Sequence, residues 1–143
     1  MCQRLYIASR MQLTTVHKTR AAPFIAVHEL GVDVRAKGRF GPDRDFVYLA
    51  EGHVECGCGF PAVQAEPGAP DPRLDPADLR SMQALAEHLS GACRRHSTVE
   101  LYLCWVHEES ESPLTRRTVT LDDLRDSAFR LRHRELLTIG RAP

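Results

Sequence analysis

The chain has almost no net charge, very little lysine and no long apolar run. Its 19 basic and 19 acidic residues cancel to a formal charge of +0 at pH 7, so no bulk attraction to nucleic acid or to an anionic membrane is expected. All basic residues except Lys18 and Lys37 are arginines. No stretch has the apolar core of a signal peptide or the length of a membrane span. These absences predict a cytoplasmic protein without a membrane segment.

Disulfide bonds are not expected either. The cysteines number five, an odd count, and no secretion signal accompanies them. In a reducing compartment such cysteines remain thiols. The sequence therefore predicts free thiols, which are available for chemistry or simply for packing.

The apolar pattern predicts a single α+β domain over residues 1–143, a length that can bury its own core. Strand-like segments recur along the chain, at 2–9, 24–30, 46–50, 99–106 and 129–139. We expect them to form a mixed or antiparallel sheet of about five strands. The order of the strands in that sheet cannot be derived from the sequence.

Two helices are predicted after the middle of the chain. Asp75 is an expected N-cap and Pro76 an expected first helical residue. An apolar stripe then recurs at helical spacing, at Leu79, Met82, Leu85, Ala86, Leu89 and Cys93. This predicts one long amphipathic helix packed on the sheet, with Cys93 in the core. Thr120 and Asp123 are spaced as the capping box of a short helix near the C-terminus.

Two further segments are expected to be surface loops. Prolines at positions 67, 70, 72 and 76 exclude regular structure from most of the segment 61–76, which predicts a mobile loop. The basic segment 35–42 contains two glycines, but its spacing matches no phosphate-binding fingerprint. We expect that segment to be a solvated loop.

The segment from His53 to Phe60 carries the most chemical content. Cys56 and Cys58 are separated by one glycine, and two such thiols can bind one metal ion. A zinc ion needs further ligands, and Cys2 and Cys104 are placed at or near strand ends. We therefore predict a zinc-type site formed by Cys2, Cys56, Cys58 and Cys104, with His53 as a substitute ligand.

Other interpretations of these residues remain open. Cys56 and Cys58 could form a thiol-redox pair without a metal, or the glycines could simply make a turn. Arg130, Arg132 and Arg134 alternate along the predicted last strand and would form a row of guanidinium groups. That row could bind an anionic or protein partner in a non-catalytic module, or it could be the solvated face of an edge strand.

Several short motifs resemble those of a family of small bacterial proteins without a characterised function. They are Met-Cys-x-x-x-Tyr-Ile-Ala-Ser at 1–9, Pro23-Phe24 with Val27-x-Glu29-Leu30, Val47-Tyr48 followed by Gly52-His53, Cys-Gly-Cys-Gly-Phe at 56–60, Glu100-Leu101-Tyr102-x-Cys104-Trp105 and Glu135-Leu136-Leu137-Thr138. The resemblance spans nearly the whole chain and implies no particular activity. It does imply that Cys2, Cys56, Cys58 and Cys104 form one group and that Cys93 is not part of it.

Overall fold

The structure, a computed structural model, describes residues 2–31, 35–63, 75–93 and 97–140. Within these ranges eight strands follow one another: β1 (Gln3–Ser9), β2 (Ala26–Glu29), β3 (Phe46–Glu51), β4 (Ala62–Val63), β5 (Val99–Trp105), β6 (Thr115–Thr120), β7 (Leu131–Arg132) and β8 (Glu135–Gly140). The helices are α1 (Pro76–Ser90) and α2 (Leu121–Arg125), and two 3₁₀ turns lie at Arg35–Arg39 and Gly57–Gly59.

Six of the strands form one mixed sheet in the order β2-β3-β1-β5-β8-β6. All neighbours in this sheet are antiparallel except β6 and β8, which are parallel. The α+β class and the mixed sheet are therefore confirmed. The sheet has six strands instead of about five, because the polar segment Thr115–Thr120 forms an edge strand that its composition does not reveal.

Helix α1 covers one face of the sheet and begins as its sequence predicts. The side chain of Asp75 accepts a hydrogen bond from the Ala77 N–H, and Pro76 is the first helical residue. The apolar side of α1 enters the main core together with residues from both middle strands: Met82, Leu85, Ala86, Leu89, Leu5, Ile7, Leu101 and Leu103. At 15 residues the helix is close to ordinary length, so it is amphipathic but not clearly long.

The short helix α2 is also confirmed, with its predicted cap. The Thr120 side chain accepts a hydrogen bond from the Asp123 N–H, and the Asp123 carboxylate accepts one from the Thr120 N–H. Neither this helix nor α1, the two α-helices among the described residues, has the length and apolar character needed to cross a membrane.

The opposite face of the sheet carries a smaller apolar cluster, which we call the second core. Its members come from several strands and from the loop that covers them: Tyr6, Ala8, Ala36, Phe40, Val47, Tyr102, Cys104 and Leu136. Ala36 and Phe40 belong to the basic segment that the sequence predicts to be a solvated loop. That segment is therefore anchored on the sheet by two buried apolar side chains, while Arg35 is exposed and Arg39 is half-buried.

The predicted last strand, 129–139, is interrupted in the structure. Its first part is β7, which pairs with β4, and its second part is β8, which pairs with β5 and β6. Arg134 lies in the turn between them with a φ of 53°, a left-handed conformation that no strand residue adopts. Arg130, Arg132 and Arg134 consequently do not form one row, and Arg130 and Arg134 donate to nearby backbone carbonyls instead.

The predicted proline-rich loop at 61–76 falls mostly outside the described residues, which omit 64–74. At its two ends, Ala62–Val63 form strand β4 and Pro76 begins helix α1.

A buried ion pair joins the loop over the second core to strand β5. The Arg44 Nε lies 2.7 Å from the Glu100 Oε1, and the two side chains are only 7% and 8% exposed. Arg44 also donates to the carbonyl oxygen and the hydroxyl of Thr98, and the Gly41 N–H donates to Glu100. Because each charge is fully partnered, removing one would leave the other buried without compensation.

We therefore expect Arg44→Met to lower the free energy of unfolding by about 3 kcal/mol or more, measured by urea denaturation. Arg10→Met is the matched control, since Arg10 pairs with Asp43 at 3.3 Å where the side chains are 62% and 53% exposed. An exposed pair contributes less than about 1 kcal/mol. Equal losses in the two variants would contradict the importance assigned to the buried pair.

Candidate functional site

The cysteine motif lies where β3 leaves the sheet and the chain folds back against β1. Glycines permit this arrangement because two pairs of backbone segments are in direct contact. A Cβ on Gly57 would lie 2.8 Å from the Leu5 nitrogen of β1, and a Cβ on Gly59 would lie 2.8 Å from the Gly52 Cα within the loop itself. Side chains do not fit at such distances. Gly57 is thus required to seat the 3₁₀ turn Gly57–Gly59 beside β1, and Gly52 and Gly59 are required for the loop to fold back on itself.

This seating brings together three of the predicted ligands. The sulfur atoms of Cys2, Cys56 and Cys58 all lie within 4.8 Å of one another. Two of them come from one turn, and the third immediately precedes β1, the strand on which the turn rests. Sulfur atoms bound to one tetrahedral zinc ion are about 3.8 Å apart, given Zn–S bonds of about 2.3 Å. The three sulfurs are therefore close to the separation that a shared ion requires.

Backbone N–H groups are directed at two of these sulfurs. The Gln3 N–H donates to the Cys58 Sγ over 3.2 Å, and the Cys58 N–H donates to the Cys56 Sγ over 3.3 Å. A hydrogen-bond donor stabilises a thiolate more than a neutral thiol. The N–H donors of Gln3 and Cys58 would therefore stabilise Cys58 and Cys56 as metal-bound thiolates.

Electrostatics within the cluster oppose ionisation unless a cation is present. The pKa of Cys56 is raised to about 12, mainly by burial and also by the neighbouring thiols Cys58 and Cys2, which outweigh the lowering by the Cys58 N–H. A thiol with this pKa is protonated at neutral pH. A metal ion reverses the balance, because its charge is larger than any other in such a site and deprotonates a coordinating thiol.

The cluster opens onto a surface cleft of about 330 Å³. Its lining includes Cys2, Arg4, Glu51, Glu55 and Cys56. Cys2 and Cys58 are exposed, whereas Cys56 is half-buried. An ion held by the three sulfurs would therefore be within reach of solvent and of small molecules.

His53 does not join the three sulfurs. Its Nε2 lies 2.6 Å from the Asp78 Oδ1, and its backbone N–H donates to the Ser81 Oγ over 2.9 Å. Both partners belong to α1, so His53 fastens the cysteine loop to the start of the helix. With Asp75, His53 and Asp78 form a second group that could hold a metal ion. The sequence predicts Asp75 only as a helix N-cap, and nothing in the local pattern links Asp75 or Asp78 to His53.

Cys104 is also placed away from the cluster. Its side chain belongs to the second core, beside Tyr6, Tyr102 and Leu136, where burial raises its pKa to about 12. The reason is the strand order, because β1 lies between β3 and β5. The cysteine turn extends from the β3 side, and Cys104 lies across β1 on the other side. Among the described residues, the predicted four-cysteine set is thus reduced to three.

Cys93 and His107, a histidine three residues after Cys104, also lie outside the cluster. Cys93 is buried in the main core, as its position on the helical stripe predicts. His107 is exposed in the turn after β5 with a φ of 82°. All five cysteines are free thiols.

No protein-family model, curated protein or solved structure shows a significant match to the chain. The family resemblance noted in the sequence stays a prediction. The functional assignment therefore depends on the geometry of the site.

We expect Gly57→Ala to destabilise the fold by about 2 kcal/mol, because its Cβ would collide with the β1 backbone, which cannot rotate away. Gly91→Ala is the matched control. A Cβ there meets nothing within 4 Å, and Gly91 has an ordinary φ of −66°. Its substitution should be neutral or stabilise by up to about 1 kcal/mol. Thermal and urea unfolding of both variants measure the difference, and equal stability would contradict the close approach.

Proposed function

We propose that this protein binds a zinc-type metal ion through Cys2, Cys56 and Cys58, leaving the fourth coordination position open to the adjacent cleft. The observation that supports the proposal is the convergence of three sulfur atoms within 4.8 Å. They come from two segments separated by more than fifty residues in the sequence. Local turn geometry alone does not bring Cys2 to the other two.

The ligand set favours zinc among the common metals. Thiolates bind Zn²⁺, Cu⁺ and iron–sulfur clusters, whereas Mg²⁺ and Ca²⁺ prefer oxygen ligands. Structural zinc sites have four protein ligands, while sites with three protein ligands keep a position for water or substrate. Three sulfurs beside an open cleft match the second kind. The fourth ligand of the ion would therefore be a water molecule or a small molecule from the cleft, and the two could exchange. Free thiols of this kind persist in a reducing cytoplasm, which is where we propose that the protein works.

A thiol-redox role for Cys56 and Cys58 is the second candidate. It is supported by the same proximity, since the two sulfurs are close and partly accessible. The raised pKa of Cys56 counts against it, because the attacking species in thiol exchange is the thiolate. Metal binding is favoured over redox exchange for this reason.

Metal content gives the direct test. Protein purified without chelators is expected to carry about one zinc ion per chain, measured by elemental analysis and native mass spectrometry. Cys56→Ser should weaken zinc binding by on the order of a hundredfold, equivalent to about 2.7 kcal/mol. Saturating zinc should raise the melting temperature of the parent protein, because only the folded chain brings the three sulfurs together.

Cys104→Ala is the matched control, since it also removes one thiol but lies outside the cluster. It should keep its zinc as long as circular dichroism shows it to be folded. An equal loss of zinc in this variant would contradict the three-cysteine assignment. Metal-free parent protein that forms a reversible Cys56–Cys58 disulfide, together with no measurable zinc affinity, would favour the redox role instead.

A further inference from the structure

A second cleft lies on the face of the sheet that carries the second core. It has a volume of about 420 Å³ and is bounded by the loop 38–41 on one side and by strands β6 and β8 on the other. Its lining shares no residue with the cleft beside the cysteines. The volume is within the range of small-molecule sites, roughly 300–1,000 Å³.

Among the described residues that line this cleft, Glu100 carries the only carboxylate, and that carboxylate is already paired with a cation. Glu100 accepts hydrogen bonds from the Arg44 Nε at 2.7 Å and from the Gly41 N–H at 3.1 Å. All three nitrogen atoms of the Arg44 guanidinium donate hydrogen bonds, one to Glu100 and two to Thr98. Because Glu100 and Arg44 cancel, the charge of the cleft is set by its other arginines.

Two of those arginines keep donors for which the described residues offer no acceptor. Arg39 donates to the Ser112 Oγ over 3.3 Å, but its Nε is buried without an acceptor among those residues. Arg116 is exposed and forms no ion pair within the described part of the chain. The Nε of Arg117 also lacks an acceptor there, but the charge of Arg117 is paired with the Glu135 carboxylate at 2.8 Å. Among the described residues, the charges of Arg39 and Arg116 are therefore the ones in the cleft without an ion-pair partner.

Hydroxyl groups complete the lining beside these charges. Thr118 and Thr138 are paired on neighbouring strands, and both line the cleft. Guanidinium groups bind phosphate and carboxylate groups in planar, often bidentate geometry, and hydroxyls add further donors. We propose that this cleft binds a small molecule through an oxyanion group, with Arg39 and Arg116 as its anchors and Thr118 and Thr138 as supporting donors.

The proposal is independent of the metal site, and the probes that test it are inorganic phosphate and succinate. Each is titrated into the full chain by calorimetry and NMR at constant ionic strength, with sodium chloride as the reference. Saturable binding of either probe supports an oxyanion site. Binding of phosphate but not succinate identifies a phosphoryl group as the recognised part of the ligand, and the reverse identifies a carboxylate.

Arg39→Gln combined with Arg116→Gln should weaken binding at least roughly tenfold, or abolish it. Arg132→Gln is the matched control, since Arg132 is an exposed arginine outside the cleft. Cys56→Ser should bind the probe as the parent does, which separates this site from the metal site. The proposal is overturned if neither probe binds saturably up to roughly 10 mM, or if the double variant and the Arg132 control bind equally.

Discussion

The contact between the backbone of the cysteine turn and strand β1 is the constraint on which the candidate site depends. Gly57 has no side chain, so the turn lies directly on the strand, and Gly52 and Gly59 contact each other where the loop folds back on itself. That contact places Cys56 and Cys58 beside the residue that precedes β1. Cys2 is therefore brought to the site by the register of a strand, and the other two sulfurs by the turn that rests on it.

Features encoded by neighbouring residues could be predicted from the sequence, and features set by strand order could not. The caps at Asp75 and Thr120 and the burial of Cys93 depend on local spacing, and all are found as predicted. The place of Cys104 depends on β1 separating β3 from β5, which no local pattern encodes. Arg134 is a second feature that the sequence does not reveal. The alternation of apolar and basic residues predicts one continuous strand, but Arg134 adopts a left-handed conformation that interrupts it.

The two clefts are lined by different strands of the sheet. The cleft beside the cysteines is lined by residues of β1 and β3, and the second cleft by residues of β5, β6 and β8. One face of the sheet is covered by α1, which also holds His53 through Asp78 and Ser81. The other face is covered by the loop that contains Arg39 and Arg44, and the segment after β5 reaches it too, where Tyr6 and Tyr102 donate to Glu109 and Glu111. The loop leaves a gap against β6 and β8. The buried pair of Arg44 and Glu100 fixes the loop beside this gap.

The cysteine cluster is difficult to explain as packing alone. Neutral thiols are weak hydrogen-bond partners, so three of them gain little by meeting at a solvent-open surface. Glycines lose more conformational entropy on folding than other residues do, and this turn orders several of them. Burial and mutual repulsion also oppose ionisation of Cys56. The proposed cation would offset these costs, because it would attract all three sulfurs as thiolates and would be held only in the folded chain. The arrangement of the three sulfurs therefore supports the proposal of a metal site over that of a bare turn.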